Sequence, residues 1–154
     1  MFDQHQLDFL LLPTCMSTFN SQTKQFYIGN EDGKLLQLSI HDSIIALEKI
    51  LVFHTAPITS IATHSRESFS QAIRDSEKLN DLILVGGFDW SVSLWSPSFI
   101  NYPLLSLTCF SSYIISIQWH PIHPLLFFII TENAQVQVWN LLIDRTVSII
   151  KELI

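Results

Sequence analysis

Residues 82–96 read LILVGGFDWSVSLWS, and this stretch holds two strand signals with the turn between them. Leu82 to Val85 is a short aliphatic run, and Gly86-Gly87 releases the backbone behind it. Asp89 takes a tight turn, where its carboxylate accepts bonds from nearby backbone N–H groups. Ser91 to Trp95 then alternates polar and apolar with period two, as a strand with one solvated face does. A Gly-rich strand end, a turn Asp and a strand ending in Trp together describe one blade of a β-propeller.

The rest of the chain repeats that template. Asp89, Val92, Leu94 and Trp95 align with Asn133, Val136, Val138 and Trp139 at a constant offset of 44. The same stretch aligns with Asp32, Leu35 and Leu38 at an offset of 57. The first strands of two units, PITSI from Pro57 and YIISI from Tyr113, are 56 apart. The excess over 44 is about the length of an insertion, and a period near 44 falls in the WD-type range of about 40–45 residues.

Working outward, strands are expected at Cys15–Phe19, Phe26–Gly29, Leu35–Ile40 and Leu47–Phe53, with Asp32-Gly33 as a hairpin turn. Pro57–Thr63, the central pair of strands and Leu104–Phe110 make a second unit. Residues 65–81 interrupt it with seven charged side chains and read as an exposed insertion, partly helical near Phe69–Lys78. A third unit runs through Ile114–Trp119, a fully buried Leu125–Thr131, Val136–Trp139 and Val147–Leu153. The expectation is an all-β partial WD-repeat propeller over 1–154, with about three four-stranded blades at 13–53, 54–110 and 111–154.

Composition bounds what this fold does. Hydrophobic residues are 48% and charged residues 14% of 154, against about 25% charged in ordinary domains. The chain therefore has more apolar surface to bury than a monomer of its size normally does. The longest purely apolar run, Leu125–Ile130, is far short of the roughly 20 residues that span a bilayer. Asp3 and Asp8 precede the short run Phe9–Leu12, where a signal peptide needs basic residues, so the reading is soluble and intracellular. A net charge of −6, with no basic cluster, argues against nucleic acid or an anionic membrane as partner. Cys15 and Cys109 stand far apart in apolar strand-like contexts and read as buried free thiols.

His54, Asp89 and Trp95 occupy the places of a buried blade network: Asp89 accepts from His54, and a strand hydroxyl connects the ring to the Trp95 indole. A His–Asp pair also serves catalysis, but here the spacing is that of the repeat and no nucleophile accompanies it. The third unit lacks the full set, with Phe110 for the His and Asn133 for the Asp. His120 and His123 are held in a Pro-bounded turn with no third ligand near in sequence, so no metal is expected. His41 and His64 read as surface loop residues. No phosphate cradle or nucleophile elbow is present, and neither an enzyme nor a cofactor is expected. Phe88 and Trp90 flank the turn Asp where polar residues would suffice, which marks them as candidate partner contacts.

The run FDWSVSLW, the turn WHPIHP at Trp119–Pro124 and the strand VQVWNL resemble the C-terminal propeller of dynein intermediate chains. The strand at Cys15-Met16-Ser17, the hairpin IGNEDGKL and HTAPITSI at His54–Ile61 are similar to it as well. The resemblance covers residues 7–153 and is most marked with the cytoplasmic type. It implies a non-catalytic subunit of a microtubule motor, cytoplasmic and cytoskeletal, docking on the dynein heavy chain with other dynein subunits nearby. The family's N-terminal region, which holds light chains and the dynactin complex, has no counterpart here, so neither partner is carried over. About three blades stand where a closed ring takes roughly seven, so remaining blades are expected to be missing from this chain, as in a fragment. The alternative is a generic WD-repeat scaffold of another assembly.

Overall fold

Period-two alternation and Gly, Pro or Asx punctuation make this chain a succession of short strands. The structure, a computed structural model, describes residues 12–18, 24–41, 44–64, 82–96, 102–123, 125–142 and 150–153. Among them lie β1 Pro13–Thr18, β2 Gln25–Asn30, β3 Lys34–His41, β4 Ile44–Val52, β5 Ile58–Thr63 and β6 Ile83–Gly87. They are followed by β7 Val92–Trp95, β8 Leu105–Leu107, β9 Ile114–Trp119, β10 Leu126–Thr131, β11 Gln135–Asn140 and β12 Ile150–Leu153. The strands pair antiparallel in chain order into three four-stranded sheets, β1–β4, β5–β8 and β9–β12. Neighbouring sheets meet through their first strands: β5 lies against β1 and β2, and β9 against β5 and β6.

The repeat in sequence is also a repeat in backbone. The turn between second and third strands places Gly33, Trp90 and Ala134 in the left-handed region, at φ 76°, 62° and 59°. Just before it, the N–H groups of Glu31, Phe88 and Glu132 donate to the carbonyls of Leu12, Pro57 and Tyr113 at 3.2, 2.8 and 3.1 Å. The first pairing of each sheet bulges at one place, leaving Thr14, Thr59 and Ile115 as the extra residue.

Opposite faces of a strand serve opposite neighbours. In the second sheet, Ile83, Val85 and Trp95 pack with Tyr27, Leu35 and Ile58 in the seam against the first sheet. Leu84, Val92 and Leu94 pack with Ile114, Ile117, Phe127 and Trp139 in the seam against the third. The core is thus two slabs between sheets, each large buried side chain contributing about 1.5–3 kcal/mol. Polar pins cross the seam between the second and third sheets: the Trp119 indole donates to the Ala62 carbonyl at 2.9 Å, and the Ile117 N–H to the Ser60 hydroxyl at 3.1 Å. Gly29 and Gly86 sit at equivalent positions and make the seams thin. A Cβ at Gly29 would stand 2.6 Å from Ile58 Cγ2, and one at Gly86 2.7 Å from both Ile114 Cγ2 and Ile117 Cδ1.

Several expectations are corrected. His64 is buried rather than on the surface: its N–H donates to Leu82 O at 3.0 Å and its ring meets Trp119 edge-on at 4.7 Å. Cys109 is exposed and Cys15 half-buried, both free; burial pushes the Cys15 thiol up against the opposing bonds with Thr14 and Gly29. β10 alternates in burial instead of being fully buried, because only its Phe127 face looks into a seam. β8 is three residues long, shorter than Leu104–Phe110, and β4 begins earlier than Leu47. The expected insertion at 65–81 lies outside the described residues.

Candidate functional site

Three turns, 31–33, 88–90 and 132–134, share one end of the sheets with the connections that enter β5 and β9. Beneath the middle turn the structure brings His54, Asp89 and Trp95 together through residues the sequence reading did not single out. His54 Nδ1 lies 3.0 and 3.1 Å from the two Asp89 oxygens. An ionised carboxylate only accepts, so Nδ1–H is the donor and neutral Nε2 is left as acceptor. Nε2 meets the Ser93 hydroxyl at 2.8 Å, and Ser93 Oγ accepts the Trp95 indole N–H at 2.8 Å. The chain of donors therefore runs from Trp95 through Ser93 and His54 to Asp89, with each group satisfied.

Asp89 also fastens the turn itself. It accepts from the Thr55 N–H at 2.9 Å, the Ser91 N–H at 3.3 Å and the Ser91 hydroxyl at 2.6 Å. Burial alone would push its carboxyl up; the hydrogen bonds from the Ser91 hydroxyl, the His54 ring and the Thr55 N–H outweigh that and hold it below the ordinary value. Gly87 makes room for the set, since a Cβ there would stand 2.5 Å from Asp89 Oδ1 and 2.6 Å from His54 Nδ1. The Gly86-Gly87 pair signals a special backbone in sequence, but not which groups fill the space.

Ser93, His54 and Asp89 stand in the order of an acyl-transfer triad. Ser93 is 0% exposed and its oxygen is already taken by the Trp95 N–H, so a substrate carbonyl has no way to it. The equivalent set in the third sheet is broken. Phe110 stands for His54 and Gln137 for Ser93, and Gln137 Oε1 and Trp139 Nε1 are left without partners among the described residues. His120 does not pair with His123 on a metal geometry: its Nδ1 accepts the N–H groups of Ile122 and His123 at 3.1 and 3.0 Å and closes the turn. Among the described residues no cluster of three potential metal ligands occurs.

Phe88 and Trp90 lie on the rim above this network, 49% and 53% exposed. Phe88 stacks on Tyr113 of the next sheet, with centroids 4.2 Å apart and planes 18° from parallel. Trp90 has no ring or hydrogen-bond partner among the described residues.

Fold, period and blade network define a WD-repeat β-propeller portion. The β-propeller domain of Cps50 (Swd1) from Myceliophteria thermophila superposes with a TM-score of 0.66 at 18% identity, covering 92% of this chain and 39% of that one. That likeness concerns the fold. The profile of the dynein axonemal intermediate chain 3 WD40 domain matches residues 8–149, and the chain belongs to this dynein intermediate chain family. Cytoplasmic dynein 1 intermediate chain of Drosophila melanogaster is 29% identical over 134 residues, 87% of this chain and 19% of that protein. Dynein axonemal intermediate chain 3 of Homo sapiens is 26% identical over 125 residues, 77% of this chain and 13% of that protein. Both the cytoplasmic and the axonemal types are thus matched, and the chain spans under a fifth of each relative. The family is a non-enzymatic one of scaffolding subunits.

Proposed function

We propose that this chain is a docking module of a dynein intermediate chain, seated on a dynein heavy chain in a microtubule-associated complex. In this reading the His54–Ser93–Trp95–Asp89 set is structural: it clamps the turn so that Phe88 and Trp90 are presented on the rim at a fixed angle. The observation that carries the reading is the family match over residues 8–149. The exposed aromatic pair supports it, because large rigid aromatics are the side chains that most often anchor protein partners.

Native affinity capture of the endogenous protein, followed by mass spectrometry, tests this. A dynein heavy chain in the captured set is the expected result, and its type tells cytoplasmic from axonemal membership. A reproducible complex without any dynein heavy chain overturns the reading and leaves a WD-repeat scaffold of another assembly.

A further inference from the structure

The three equivalent turns differ in a way the fold does not require. At successive positions they read Glu31-Asp32-Gly33, Phe88-Asp89-Trp90 and Glu132-Asn133-Ala134. The backbone is the same in all three, with the last residue left-handed each time. Glycine takes that conformation freely and a bulky aromatic does not, yet the middle turn places Trp there and leaves it 53% exposed. Among the described residues Trp90 has no ring or hydrogen-bond partner to offset that strain. Phe88 likewise replaces a Glu found in both neighbours and lies flat on Tyr113 rather than dissolving into the core.

What flanks this platform is acidic. Glu31 and Glu132 are exposed on the turns to either side, and Asp32 is exposed beside Glu31. Lys34, 3.2 Å from Asp32, is the one cation on these three turns and the strand residues that adjoin them among the described residues. The electron-rich faces of Trp90 and Phe88 and the carboxylates around them attract the same ligand class: a cation carried on an extended side chain.

We infer that the rim formed by Phe88, Trp90 and Tyr113, between Glu31-Asp32 and Glu132, receives a basic segment of a partner protein, with a Lys or Arg laid on Trp90. The inference rests on the docking reading only in placing the contact on this rim. Arg suits this chemistry best, because its planar guanidinium stacks on aromatic faces and always carries the charge that the flanking carboxylates attract.

The test titrates the 154-residue chain with a short synthetic Arg-rich peptide and an acidic peptide of equal length, read by tryptophan fluorescence and calorimetry. Of the four tryptophans Trp95 and Trp139 are buried, Trp119 is half-buried with its indole bonded to the Ala62 carbonyl, and Trp90 is the most exposed. The fluorescence change lost in a Trp90 variant is therefore the part that reports the rim, and calorimetry measures that variant's affinity. Saturable binding of the basic peptide alone is expected, weakening as salt rises. Trp90→Gly, which installs the residue found at position 33, weakens it by about tenfold. Glu31→Gln with Glu132→Gln weakens it independently and flattens the salt dependence. Equal affinity for both peptides, or basic-peptide binding unchanged in both variants, overturns the inference. Heavy-chain capture run on the same proteins keeps the two ideas apart. Capture without basic-peptide binding sinks the basic-segment inference and spares the docking reading. Trp90-dependent peptide binding without capture does the reverse.

Discussion

Asp89 shows how one carboxylate ties sequence-distant parts into a single turn. Its oxygens hold the His54 ring, the Thr55 N–H and Ser91, so replacing it removes an acceptor that several donors share. Asp89→Asn is expected to cost about 1–3 kcal/mol, the range for disturbing a buried hydrogen-bond partner, measured by thermal or denaturant unfolding. The pH dependence follows from direction. The folded carboxyl titrates below its unfolded value, so its contribution is complete above an ordinary pKa of about 3.9. That contribution is lost as pH falls through the lower folded value. The gap between wild type and Asp89→Asn is therefore wide at neutral pH and closes in acid; a gap independent of pH down to about 3 would contradict the ionised acceptor. Trp90 is the opposite kind of residue. At φ 62° and half-exposed, it costs folding energy of the order of 1 kcal/mol. Trp90→Gly should leave the melting temperature unchanged or raise it, and a lowered one would show that the indole packs for stability. His54, Asp89 and Trp95 are legible as a set from their spacing alone. Ser93 is legible only as some strand hydroxyl, since Ser91 and Ser93 share a face and three-dimensional reach alone decides which one meets Nε2. Gly87 is not legible in this role, because the groups that forbid its Cβ come from a strand connection far back in the chain.

At the scale of strands, what makes one blade fit the next is a Thr–Gly pair facing an Ile. Thr14 and Thr59 occupy the bulge with their hydroxyls 3.1 Å from the carbonyls of Gly29 and Gly86. Thr59 donates to Gly86, and the single Thr14 proton is shared between Gly29 and the nearer Ile58 carbonyl across the seam. Over those glycines lie Ile58 and Ile114, both fully buried. Gly86→Ala puts a methyl 2.7 Å from two isoleucine side chains that are themselves fully buried. Overpacking of that kind costs about 1–3 kcal/mol, and denaturant unfolding is the measure. An unchanged midpoint would show that the seam between the second and third sheets yields easily. The strands and their order are readable from periodicity because each is half-buried, and alternation is what half-burial writes into a sequence. The bulges are not readable, since one extra residue leaves both flanking alternations intact. The burial of His64 is missed for a related reason. Its neighbours are polar and the next residues are charged, while the ring it packs on, Trp119, belongs to another sheet.

Across the whole molecule, two seams are filled and the outward face of the third sheet is built differently from the faces that fill them. The bulge residue is Ile115 where the other sheets have Thr, and Ile130 stands at the position of Gly29 and Gly86. Ile115 is 49% exposed, and Phe128, Ile130, Val136 and Val138 are half-buried along the same face. The apolar excess visible in the composition is located here in part. An apolar sheet face with such residues at its surface promotes self-association unless another surface covers it. A residue that takes part in such contacts without supporting the fold has a distinct signature: replacing it changes colloidal behaviour and leaves the melting temperature alone. Ile115→Thr installs the residue that the first two sheets carry, with a hydroxyl placed to bond the carbonyl across the bulge. The purified variant is expected to scatter less light than wild type at equal concentration and to bind less of a hydrophobic dye. Its unfolding temperature should stay within the spread of ordinary surface substitutions, about 0.5 kcal/mol. A large drop in stability with unchanged scattering would place Ile115 in the core of the fold and remove this face as the source of association.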